Sequence, residues 1–240
     1  MHVLHISFKE SNRNNLFNYM LETRNVCVTE YNFFDPRDYE ALLNDSYEYD
    51  ALVLGSQGGG ASRDGWSRKG LSGFKYLNLY NSKDLNERKR KLSRIVQKYA
   101  NIPILGICYG SQVLNMLYGG SVSPKRDIKK AGYLAVRVDT NDPLFKGLPP
   151  DIHAEFNTWY PSVPSPSSSI IAVTEEDNVM AAQSFPNNHY ALYFHIVHGD
   201  ASLQRIVENF INIAEREKNY RVVMKVSVLG LLFGLYVMLK

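Results

Sequence analysis

Short apolar runs alternate with charged, helix-spaced stretches through the first half of the chain, and shorter strand-like runs separated by Pro- and Ser-rich punctuation follow in the second. His2 to Phe8 reads as a buried strand, followed by a polar stretch that starts a helix near Asn14 to Thr23. Val26 to Tyr31 and Glu48 to Leu54 read as the next strands, the second stopping at Gly55-Ser56-Gln57-Gly58-Gly59-Gly60, where the backbone must turn tightly. Between Asp84 and Ala100, Leu85, Leu92, Ile95, Val96 and Tyr99 recur at helical spacing among Lys and Arg, the pattern of an amphipathic surface helix. Its basic run, Arg88 to Lys91, is a solvated face.

Ile102 to Ile107 is an apolar run suited to a central parallel strand, and Tyr109 to Leu117 reads as the helix after it, closed by Gly119-Gly120. Beyond Gly132 the pattern predicts strands at Tyr133 to Val138, Ile170 to Thr174, Val179 to Phe185 and Tyr190 to His195, then an amphipathic helix at Ser202 to Glu217. This order predicts an α/β fold, a three-layer sandwich around a mostly parallel sheet.

Residues 1–217 read as one domain, and 218–240 as a basic flank with a hydrophobic segment. Val222 to Leu239 is interrupted only by Lys225 and Ser227, close to the roughly 20 apolar residues a bilayer crossing needs. Lys218, Arg221 and Lys225 on its N-terminal side suit a cytosol-facing domain, and Gly230 and Gly234 carry helix-pairing spacing. The expectation is a membrane anchor on a cytoplasmic-facing domain, with a helix packed on the sheet as the alternative.

Composition narrows the rest. A formal net charge of +3 over 240 residues is too small for a nucleic-acid footprint, so no nucleic-acid partner is expected. Two cysteines, Cys27 and Cys108, allow neither a disulfide framework nor a Cys-rich zinc site. No secretory leader is legible in MHVLHISFKE. No metal-ligand spacing and no phosphate-cradling motif occurs, so neither metal nor cofactor is expected, and His153 and His189 read as surface or loop residues.

The stretch Pro103 to Val122, PILGICYGSQVLNMLYGGSV, carries the chemistry. A cysteine between an apolar strand and a helix sits on a sharp turn with its sulfur exposed, and the helix N-terminus favours the thiolate. Gly106 and Gly110 flank that turn, where larger side chains would collide. By spacing alone, a cysteine at an apolar strand end is more often simply a small core residue.

The full run resembles the cysteine elbow of class I, triad-type glutamine amidotransferases, and is most similar to the amidotransferase subunits of GMP synthetases and their stand-alone relatives. Tyr49 to Ser56 looks like the strand into that family's oxyanion loop, Lys130 to Pro149 like the segment after the elbow, and Ile170 to His195 like the approach to its histidine. The resemblance implies hydrolysis of the side-chain amide of glutamine, or of another γ-glutamyl compound, through a thioester. Cys108 would attack, His195 would relay the proton, and Tyr109 and Gly58 would supply oxyanion N–H groups, with Gln112 shaping the substrate pocket. A separate synthetase chain would take the ammonia.

Three departures accompany the resemblance. The family's glutamate two residues beyond the histidine is Val197, which cannot orient an imidazole, and Asp200 is the candidate substitute. In a serine triad, loss of the orienting acid costs about 10⁴ in turnover. The oxyanion loop reads Ser56-Gln57-Gly58 in place of Gly-Gly-Pro, and Ile152 to Pro164 lacks the family's Ser-His-x-Asp pocket pattern. The alternative to an enzyme is therefore an inactive binding or regulatory module of the same fold, tethered to a membrane.

Overall fold

The computed structural model describes residues 1–8, 25–33, 35–55, 83–122, 130–158, 162–176, 179–196 and 201–238. The helix expected at Asn14 to Thr23 lies outside them. Eleven strands and four α-helices are described: β1 His2–Ser7, β2 Cys27–Asn32, α1 Pro36–Asn44, β3 Ala51–Leu54, α2 Lys83–Lys98, β4 Ile104–Ile107, α3 Tyr109–Leu117, β5 Ser121–Val122, β6 Lys130–Val138, β7 Asp151–Thr158, β8 Ser162–Val163, β9 Ser169–Thr174, β10 Met180–Phe185, β11 His189–Leu192 and α4 Ala201–Met238.

Nine of these strands form one sheet in the order β2-β1-β3-β4-β11-β10-β9-β6-β7, and β5 pairs with β8 apart from it. The four pairings from β2 to β11 are parallel. The four from β11 to β7 are antiparallel. The sheet is therefore evenly mixed, which corrects the expectation of a mostly parallel one. Connections as short as Pro186–Asn188 cannot carry a parallel crossover, so the chain must reverse there.

Every residue of β3, β4 and β11 is buried, as befits parallel strands covered on both faces. In α2 the buried stripe is Leu92, Ile95 and Val96, continued by Tyr99 just past its end, and in α4 it is Leu203, Ile206, Val207, Phe210, Ile213 and Ala214, both at helical spacing. The amide of Asn209 in α4 donates to the carbonyls of Leu144 and Lys146, each at 2.9 Å, pinning the helix to the turn Pro143–Phe145. Helix α1 starts at an Asp35 cap followed by Pro36, whose fixed φ suits the first helical position.

The expected membrane anchor finds no support. Among the described residues no helix is long and apolar enough to cross a membrane. Residues 218–238 continue α4 without a break, and basic side chains tie this part of the helix to the domain. Lys218 Nζ lies 3.0 Å from Asp50 Oδ2, Arg221 lies 3.9 Å from Oδ1, and Lys225 pairs with Glu48 at 3.1 Å. Nor is the buried-helix alternative found, because Val222, Val223, Met224, Val226 and Val228 are exposed.

Candidate active site

The carboxyl ends of β3, β4 and β11 are followed by Gly55, Cys108 and, three residues past Leu192, His195. The topology thus brings these residues to one edge of the sheet, where ligands of open α/β sheets bind. A groove of about 810 Å³ opens at the other edge, lined by His2, Tyr47, Tyr49, Asp50 and Tyr99 among others, and includes neither Cys108 nor His195.

Cys108 sits between β4 and α3 with φ 53° and ψ −105°, a conformation that costs a non-glycine residue about 1–3 kcal/mol. Its surroundings hold it there. The Cys108 N–H donates to the Leu192 carbonyl at 2.7 Å, and the Cys108 carbonyl accepts from the N–H groups of Ser111 at 3.1 Å and Gln112 at 3.3 Å. The Ser111 hydroxyl donates to the same carbonyl. A Cβ at Gly106 would come 2.6 Å from the Gly110 carbonyl oxygen, and one at Gly110 would fall on the Leu54 carbonyl. Both glycines are therefore required by the tightness of the turn. The Gly110 N–H also donates to the Gly55 carbonyl at 3.2 Å, joining the elbow to the start of the glycine-rich loop.

His195 is fixed from both sides. Phe194 is fully buried against Phe156, with ring centroids 5.8 Å apart. The Tyr193 N–H donates to the Ala181 carbonyl at 2.9 Å, and its hydroxyl donates to Gln183 at 2.6 Å. The His195 N–H donates to the Glu155 carbonyl at 2.8 Å, in an antiparallel bridge to β7. Its imidazole interacts with the Cys108 side chain. The charge of the Cys108 sulfur raises the His195 pKa above its ordinary value, with the hydrogen bond and the Glu155 carboxylate acting in the same direction against burial.

The structure therefore brings two sequence-nominated residues together, Cys108 and His195. Tyr109 stands at the first position of α3 and Gln112, buried, at the fourth. Gly58, Val197, His198 and Asp200 lie outside the described residues. His153 is exposed on β7, but His189 corrects the surface reading: it is fully buried. Its Nε2 faces the Ile102 carbonyl at 3.1 Å and its Nδ1 the Tyr118 hydroxyl at 2.6 Å. No group of three or more His, Cys, Asp or Glu side chains that could hold a metal occurs among the described residues.

Sequence reasoning missed β7 and with it Glu155. The signal was present as alternation, since Ile152, Ala154 and Phe156 are buried while His153 is exposed and Glu155 half-buried.

Fold and site together define an α/β protein with a cysteine elbow facing a histidine across the carboxyl edge of its sheet. Residues 4–211 match the family model for class-I glutamine amidotransferases, and the chain belongs to that family. It is 36% identical over 131 residues to a glutamine-hydrolyzing GMP synthase of Thermosipho africanus, a match covering 50% of this chain and 24% of the relative. With a glutamine-hydrolyzing GMP synthase subunit of Ignicoccus hospitalis it shares 32% over 117 residues, 48% of this chain and 61% of the relative. The matches thus span less than two thirds of these relatives. A crystal structure of a putative GMP synthase subunit from Thermoplasma acidophilum superposes with a TM-score of 0.68 at 21% identity, covering 94% of this chain and 98% of the other. The structure of PurLQS from Thermotoga maritima gives 0.59 at 15% identity, covering 88% and 97%.

Proposed function

We propose that this protein hydrolyses the side-chain amide of glutamine, or of a related γ-glutamyl compound, with Cys108 as nucleophile and His195 as acid and base. The observation that carries the reading is that Cys108, held at positive φ on the elbow with its N–H bonded to the Leu192 carbonyl, stands at the same sheet edge as His195, three residues beyond Leu192. The thiolate attacks the amide carbon, and the C–N bond breaks as His195 gives its proton to the leaving ammonia. His195 then takes a proton from water, whose oxygen cleaves the γ-glutamyl thioester to release glutamate and regenerate the pair. The N–H of Tyr109 and one from the loop containing Gly58 hold the oxyanion, and Gln112 shapes the pocket. Glutamine hydrolysis agrees with the family.

Relatives named as glutamine-hydrolyzing GMP synthases motivate the further reading that a separate synthetase chain consumes the ammonia. The second reading, an inactive binding or regulatory module, is favoured by one observation, Val197 in the place of the family's glutamate. Ammonia release from glutamine by the full chain, measured beside Cys108→Ala, decides between them. Turnover in the parent and none in the variant is expected; equal background in both would sink the enzyme. Labelling of Cys108 by a glutamine-analogue electrophile separates a surviving pocket from a lost one.

A further inference from the structure

Family members orient their histidine with a glutamate that this chain lacks at residue 197, yet an acidic side chain stands beside His195 from a different element. His195 and Glu155 oppose one another in an antiparallel bridge, with the His195 N–H donating to the Glu155 carbonyl at 2.8 Å. Residues directly opposite in such a bridge project to the same face of the sheet, with Cβ atoms about 5 Å apart. The neighbours fix that register. Phe156 and Phe194, next to the pair on each strand, are both buried and pack together, so Glu155 and His195 share the other face.

We infer that Glu155 is the positioning residue of this site, its carboxylate stabilising the His195 imidazolium across the strand pair in place of the missing glutamate. The titratable groups facing the imidazole among the described residues are Cys108 from the elbow and Glu155 from β7, and both favour its protonated form. A carboxylate arriving from a neighbouring strand acts through its field on the cation, which is the part of the orienting acid's work that a thiolate–imidazolium pair needs most. Glu155 is half-buried, a setting in which a charge is screened less by solvent than on the open surface.

The inference rests on Cys108 and His195 forming the reactive pair, but it can be tested without turnover. The His195 imidazole is titrated by NMR in the full chain and in Glu155→Gln, Glu155→Asp and Asp200→Asn, with the signal assigned by loss in His195→Gln. In Glu155→Gln the midpoint is expected to fall by about 0.5 pH or more, the effect of a unit charge roughly 7 Å away in a half-solvated setting. Glu155→Asp retains most of the parent value, and Asp200→Asn leaves it unchanged. An unmoved midpoint in Glu155→Gln, or a fall in Asp200→Asn alone, overturns the inference. Glu155→Ala gives the same reading should the glutamine variant fail to fold. Where ammonia release is measurable, the basic limb of the kcat/KM profile moves to lower pH with the midpoint. A moved midpoint with no glutamine turnover would instead overturn the proposed function and leave the role of Glu155 standing.

Discussion

Replacing His189 should flatten the acid dependence of stability. In the folded chain its Nδ1 accepts from the Tyr118 hydroxyl and its Nε2 donates to the Ile102 carbonyl, a neutral ring in a site with no solvent exposure. Protonating Nδ1 would turn the Tyr118 hydroxyl from donor to acceptor and bury a charge, so burial pushes the His189 pKa down to about 4, although the Ile102 and Ala100 carbonyls pull the other way. The unfolded chain takes up the same proton near pH 6.5. Because the folded value is the lower one, the unfolded state binds more protons between these limits. Stability is therefore complete above about pH 7 and is lost as pH falls toward 4. Integrating the two titrations from pH 7.5 to 4.5 gives a loss on the order of 2–3 kcal/mol from this one group. Urea unfolding at several pH values across that range, for the parent and His189→Phe, isolates it by difference. The variant starts less stable, since it gives up both hydrogen bonds, but its stability should fall by roughly 2–3 kcal/mol less on acidification. Parallel curves would refute the argument.

Other expectations follow from the packing. Gly110→Ala drives a methyl into the Leu54 carbonyl and should cost at least about 1–3 kcal/mol by urea midpoint, against little change for Lys146→Ala at an exposed position. Tyr118→Phe leaves the His189 Nδ1 without its donor and should cost about 1–3 kcal/mol in the same assay. Asp50→Ala removes a buried acceptor shared by the His2 N–H, at 2.8 Å, and Lys218, and should cost a similar amount. Lys225→Ala cuts only the exposed pair with Glu48 and should change stability by less than about 1 kcal/mol.

Much of this was legible in the chain because strong local signals coincided. Tyr109–Leu117 begins at a strand end and finishes at Gly119, whose φ of 88° is the left-handed cap a glycine allows, so its predicted and observed bounds agree. The apolar run ending at Ile107 and the sequence after Cys108 likewise placed the elbow. Other strands escaped for two different reasons. β7 mixes His153, Glu155 and Asn157 into its alternation, which resembles loop composition. β5 and β8 are two residues each, too short for any periodicity. Direction was illegible too, since whether a strand runs parallel depends on connections and partners rather than on its own side chains. His189 was misread because two polar contacts that satisfy a buried imidazole come from residues 71 and 87 positions away.

The single hydrogen bond from the Cys108 amide to Leu192 leaves only Tyr193 and Phe194 between that anchoring point and His195. Residues 108 and 195 are thus leashed to each other through the sheet's own framework. A change elsewhere on that edge therefore leaves the spacing of residues 108 and 195 to the two strands that carry them.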